Sequence, residues 1–261
     1  MMERDDFWRP RRLLLTLLED ADSTLVSAQA AALAGALEAE VAGVLVEEEA
    51  LFELAALTVC AEVGSVTGQF QRIETTTIRA RARRSANLYR REMEALQERL
   101  GRPVPLRVLR GHALDPIREA EEGDLVFYTG AHGRLEDREE AAALLEAARH
   151  LSGLLLLPAG RPGGSGPLVA LYHSPETAER LLPTMQRLAG KAGLEQHLAS
   201  DTTEALLLGS LLAEQRRARL LVVELDGDKA DEARQRALRQ SLRHLNCPLL
   251  LINPTPRRSA S

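Results

Sequence analysis

The chain has 261 residues, 45% of them hydrophobic and 3% aromatic, with a formal charge of −5. That length and composition suit two aliphatic-cored domains. So few aromatic rings argue against the stacking platforms that single-stranded nucleic acid requires, and the negative charge gives no global pull toward phosphate backbones or anionic lipid.

The first aliphatic run, residues 13–18, reads as a strand, and residues 23–37 read as an Ala- and Leu-rich helix. A second strand is expected over 41–46. Residues 76–100 have helical composition and are stopped by Gly101 and Pro103. A third strand over 105–109, a short helix over 115–122, a fourth strand over 125–128, a helix over 135–151 and a fifth strand over 154–157 follow. Strands alternating with helices imply parallel pairing through helical crossovers, hence an open α/β sheet. Aliphatic runs without polar alternation suit strands covered on both faces.

Residues 159–167 are too rich in Gly and Pro to pack as helix or strand. A second α/β run follows: strand 168–172, helix 176–192, a weak strand 194–198, helix 203–217, strand 220–225, helix 229–245 and strand 248–252. The predicted organisation is a complete domain over 1–159, a linker over 160–167, a shortened domain over 168–254 and a polar tail over 255–261. Leu33-Ala34-Gly35 recurs as Leu188-Ala189-Gly190, and Arg149-His150 as Arg243-His244. The spacing between copies shrinks by about 60 residues, which suggests a duplication whose second copy has lost the stretch after Val46, the Arg-rich helix included.

The segment from Asp124 to Arg134 runs an aliphatic strand into Gly130-Ala131-His132-Gly133-Arg134. With it go Gly111 and Asp115-Pro116-Ile117 upstream, Ser174-Pro175-Glu176, and Arg243-His244 ahead of Cys247-Pro248. Together these motifs resemble the universal stress protein family across nearly the whole chain. The resemblance implies Rossmann-like domains of the adenine nucleotide alpha hydrolase type. The first would hold a five-stranded parallel sheet in order 3-2-1-4-5 and the second a shortened four-stranded sheet, with ligand sites at the carboxyl edge of the strands. It carries ligand-binding expectations onto Asp20, Val46, Gly111, Gly130, His132, Gly133 and Arg134.

In nucleotide-binding members of that family the fourth strand leads into Gly-x2-Gly-x9-Gly-Ser/Thr, whose amides cradle phosphate. Here Gly130 and Gly133 are present, but Ala143-Leu144 stands where the third glycine and its hydroxyl neighbour belong. Acidic residues crowd the expected strand ends: Glu19, Asp20 and Asp22 after the first strand, Glu47, Glu48 and Glu49 after the second, and Glu136, Asp137, Glu139 and Glu140 beyond the fourth. A like charge about 4 Å from a phosphate costs ~4 kcal/mol at an effective dielectric near 20. In the second half, Tyr172 stands at the family's Asp position, and Asp226-Gly227-Asp228 offers no Gly-x-x-Gly. That half is expected to act as a structural partner for the first.

Arg79, Arg81, Arg83, Arg84, Arg90 and Arg91 form a basic cluster, expected to be a solvated helix face with Glu92, Glu94 and Glu98 as local counter-charges. His132 reads as a turn histidine, and His150 and His244 as helix C-terminal residues. Cys60 and Cys247 have no zinc-finger spacing and read as free thiols. The leucines over 206–212 read as core. No run approaches the length needed to span a bilayer, and the N-terminal segment lacks a secretory pattern, so a cytoplasmic protein without membrane insertion is expected.

Two functions follow. One is a non-catalytic stress-response regulator or scaffold with degenerate nucleotide sites. It would carry no resident cofactor and act through other proteins or self-association, as a homodimer or an internal pseudo-dimer. The other is an ATP- or AMP-responsive binding protein using only the first domain, with Mg²⁺ bridging phosphate and carboxylates.

Overall fold

The computed structural model describes residues 8–18, 23–57, 61–63, 70–72, 75–129, 138–157, 166–190, 194–200, 218–225, 238 and 247–253. The elements in chain order are β1 (Arg12–Leu17), α1 (Ser23–Leu37), β2 (Glu40–Glu48), α2 (Glu49–Ala56), β3 (Ala61–Val63), β4 (Phe70–Arg72), α3 (Thr75–Leu100), β5 (Leu106–Gly111), α4 (Asp115–Arg118), β6 (Asp124–Thr129), α5 (Arg138–Ala148) and β7 (Gly153–Leu157). They continue with β8 (Leu168–Tyr172), α6 (Pro175–Ala189), β9 (Gln196–Ser200), β10 (Leu220–Glu224) and β11 (Leu249–Ile252). The helices expected over 203–217 and 229–245 lie outside the described residues, except that Leu238 is helical and buried. So do Cys60, His132, His244, most of the linker and the polar tail.

Nine strands form one sheet in the order β5-β2-β1-β6-β7-β11-β10-β8-β9, and β3 and β4 form a separate antiparallel pair. The first five strands take the expected order 3-2-1-4-5. Within that sheet every pairing is parallel but one: β7 meets β11 antiparallel, with Gly153 opposite Ile252 and Leu156 opposite Leu249. The sheet therefore consists of two parallel blocks running in opposite senses, joined at one seam.

Side chains alternate across each strand, so the sheet carries a core on both faces. Leu13, Leu15 and Leu17 enter one cluster with Tyr89, Met93 and Leu96 of α3 and with Leu181 and Met185 of α6. Leu14 and Leu18 enter the other, with Leu144 of α5, Leu154 and Leu156. β6, β7, β10 and β11 are buried at every residue, which accounts for the apolar sequence of β7 and β11 and for the largely apolar sequence of β6 and β10 between buried Asp124, Thr129 and Glu224. Each wholly buried leucine contributes ~1.5–3 kcal/mol. β5, at one end of the sheet, has only half-buried and exposed positions. α1 packs on α6, so helices as well as strands bridge the two blocks.

At the amino edge of the first block, Arg12 clasps Asp124 through two hydrogen bonds, Nε to Oδ1 at 3.0 Å and an Nη to Oδ2 at 2.6 Å. Asp124 is 2% exposed and also accepts from the Glu121 amide at 2.8 Å. The seam is tied by the Ser152 carbonyl, which accepts from the Trp8 indole at 2.7 Å and from the Asn253 amide at 2.8 Å.

Three local expectations change. Glu47 and Glu48 belong to β2 rather than to a loop, and Glu49 opens α2, where a carboxylate suits the helix N-terminus. The β3–β4 pair had no counterpart in the sequence reading. The helix expected over 115–122 ends at Arg118, and the Asp124 carboxylate caps the turn into β6 by accepting the Glu121 amide.

Candidate functional site

In an open parallel sheet the crevice forms at the carboxyl edge where strand order reverses. In the first block that point lies between β1 and β6. Both strand ends are pinned: the Tyr89 hydroxyl donates to the Leu18 carbonyl at 2.6 Å, and the Thr129 hydroxyl donates to the Thr16 carbonyl at 3.0 Å. Of the expected ligand contacts, Asp20, Gly130, His132, Gly133 and Arg134 lie outside the described residues.

Val46 and Gly111 are described. Val46 is wholly buried in the core shared with Val44 and Leu18, opposite Leu109 in the sheet register. Gly111 ends β5, and the space beside its α-carbon is taken by the Asp115 carboxylate, which accepts the His112 amide at 2.6 Å. A side chain at 111 would displace that carboxylate, so this glycine serves the turn into α4.

Ala143 and Leu144, where the family motif has its third glycine, lie within α5. Their amides fall inside the helical hydrogen-bond ladder, and Leu144 is wholly buried. On the same helix, Glu140 accepts a 2.6 Å hydrogen bond from the Tyr128 hydroxyl. Burial and this carboxylate push the Tyr128 phenol well above its usual pKa of 10.0.

The corresponding reversal in the second block lies between β8 and β10. There Glu224, the last residue of β10, is 2% exposed and is held by Arg180 of α6. Arg180 Nε lies 3.0 and 3.3 Å from the two carboxylate oxygens, and an Arg180 Nη atom also contacts both Glu224 and the buried Thr177 hydroxyl. Ser174 caps α6 by accepting the Thr177 amide at 3.2 Å, and His173 contacts the Thr177 hydroxyl. Ser174 also lowers the pKa of the Glu176 carboxyl, with the helix-start backbone assisting. The crevice of the second block thus contains a protein ion pair. Sequence reasoning missed that pair, although a lone acid inside the aliphatic run 220–225 is a signal that a buried cation must answer it.

A pocket of about 360 Å³ opens on the outer side of β2, lined by Glu47, Phe52, Arg79, Ala82, Arg83 and Arg110. It lies where α2 and α3 cover the carboxyl ends of β2 and β5. The Arg110 guanidinium sits over the Phe52 ring at 4.2 Å and donates to Glu47 at 3.3 Å. Arg79 and Arg83, one helical turn apart, make no ion pair among the described residues. The acidic end of β2 is therefore not the bare carboxylate cluster expected: Glu47 is neutralised by Arg110. The arginines of the basic helix are exposed as expected, but two of them also line a shared cavity.

Among the described residues, no group of three or more His, Cys, Asp or Glu side chains could hold a metal ion, and no helix is long and apolar enough to cross a membrane. Cys247 is buried, and desolvation raises its thiol pKa from 9.0 to about 11.

No family model matches the sequence, and no curated protein matches it. Solved structures do resemble it. A universal stress protein from Archaeoglobus fulgidus DSM 4304 aligns with a TM-score of 0.57 at 10% identity, over 95% of this chain and 98% of that one. A candidate universal stress protein from Pseudomonas aeruginosa UCBPP-PA14 aligns at 0.56 and 12% identity, over 93% of each chain. A functionally unknown protein from Pseudomonas aeruginosa PAO1 aligns at 0.56 and 12% identity, over 94% of this chain and 92% of that one. The protein therefore carries the universal stress protein fold along nearly its whole length.

Proposed function

We propose that this protein is a non-catalytic cytoplasmic regulator or scaffold of the universal stress protein type, acting through other proteins or through self-association, with both nucleotide crevices degenerate. The observation that carries this reading is the Arg180–Glu224 pair, which fills the strand-order reversal of the second block with protein charge. In the first block, the register of α5 supports it: the backbone at Ala143 and Leu144 is committed to a helix. A polyphosphate needs free amides aimed at it, and an amide inside a helical ladder supplies none.

Calorimetry on the full chain with ATP and with AMP, each with and without Mg²⁺, tests this. The expected result is no binding tighter than about 10 μM. Tighter binding that disappears in Gly130→Val would favour the other reading, a nucleotide-responsive protein working through its first block alone.

A further inference from the structure

We propose that the arginine pocket between α2, α3 and the ends of β2 and β5 is a binding site for a small phosphorylated molecule, gripped through its phosphoryl group. The lining carries three guanidiniums and one carboxylate. Arg110 already satisfies Glu47, and its guanidinium also stacks on the Phe52 ring. That pairing holds Arg110 in place before any ligand arrives, which lowers the ordering cost of binding.

Arg79 and Arg83 supply the unspent charge. They stand at i and i+4 on α3, a spacing at which like charges repel and destabilise a helix. Ala82 between them is buried, and its small side chain leaves the space open. A dianion placed between the two guanidiniums relieves their repulsion and meets the planar donor forks suited to phosphoryl oxygens. The volume lies within the range of small-molecule sites, ~300–1,000 Å³. A concave pocket in a chain of net charge −5 does not suit an extended polyanion, which needs a basic surface along its length.

The pocket lies on β2 and β5, beyond β1 on the far side from β6, with Glu47 and Arg110 next in sequence to Val46 and Gly111. Within the described sheet, the second block has no strand equivalent to β5, so this pocket belongs to the first block alone.

The test uses the full chain titrated with inorganic phosphate and then pyrophosphate, following the side-chain Nε–H resonances of arginine by NMR. Saturable binding is expected, with Arg79, Arg83 and Arg110 shifting together and pyrophosphate binding more tightly than phosphate. Arg83→Ala and Arg79→Ala should each weaken binding about tenfold or more. Arg84→Ala removes the same charge from an exposed neighbouring position outside the pocket, and should change affinity by less than about twofold. All three residues are exposed, so the variants should fold, and amide spectra check that. No saturable binding of either anion, or equal losses in Arg83→Ala and Arg84→Ala, would overturn the proposal.

Discussion

Arg180 reaches from the second turn of α6 to the final residue of β10 and holds the buried Glu224 carboxylate through hydrogen bonds to both of its oxygens. The two residues are 44 apart in sequence and meet only because α6 packs over β8, the strand beside β10. A carboxylate that is 2% exposed survives there because its charge is answered on the spot.

Removing the cation alone should therefore be costly. Arg180→Met is expected to destabilise the protein by ~2–3 kcal/mol, below the full cost of breaking a wholly buried pair because Arg180 is itself 38% exposed. Replacing both partners, Arg180→Met with Glu224→Leu, should recover most of the loss. Urea midpoints for the two variants read the difference, and a double variant no more stable than the single would refute this account.

Thr16 lies in the middle of the sheet, wholly buried, and its hydroxyl finds no hydrogen-bond partner among the described residues. Its backbone carbonyl is the group that serves Thr129. Valine keeps the shape and removes the unpaired oxygen. Thr16→Val is expected to raise stability by ~0.5–2 kcal/mol, measured as an upward shift in Tm.

Gly153 sits where the two blocks meet. A β-carbon there would lie 2.7 Å from the Leu251 carbonyl oxygen and 3.1 Å from the Trp8 ring. The first of these neighbours is backbone of the antiparallel partner strand and cannot step aside. Gly153→Ala should cost ~1–3 kcal/mol by forcing the seam apart. The chain has a single tryptophan, and it is buried at this seam, so its emission should shift to the red in the variant.

Alkali should weaken the fold through two groups. Cys247 keeps its proton up to about pH 11 when folded, against 9.0 ordinarily. In the window from about 9 to 11 the unfolded chain has lost a proton that the folded chain retains, so unfolding is favoured as pH rises. Tyr128 acts in the same direction, with its onset above 10.0. Unfolding free energy measured from pH 7 to 11 should be level with respect to these groups below about 9 and then fall. Cys247→Ala costs some packing but should flatten the first part of that decline. An unchanged slope in this variant would show that the thiol does not contribute.

The strands were legible because burial on both faces leaves an unmistakable record: Leu154 to Leu157 and Leu249 to Ile252 contain nothing but aliphatic residues. α2 was not, because Glu47, Glu48 and Glu49 look like a solvated loop when the partner of Glu47, Arg110, is 63 residues away. The arginine pocket was hidden for the same reason. Its lining is drawn from β2, α2, α3 and β5, and only the spacing of Arg79 and Arg83 is a local signal. Ala143 and Leu144 were recognised both as departures from the glycine motif and as part of the helix expected over 135–151, and α5 contains them. Arg12 and Asp124 show the same limit: neither residue has a neighbour in sequence that announces the clasp.

The antiparallel junction of β7 with β11 has a consequence for assembly. An unpaired strand margin is a standing invitation to another chain, and here two such margins consume each other inside one polypeptide. The outermost described strands are β5 and β9, and β5 carries Arg107 bonded to Glu119 and Arg110 bonded to Glu47. A second copy approaching along β5 would meet charged side chains flanking the bare peptide groups, so a molecule already zipped to itself at its centre is partly guarded along that flank.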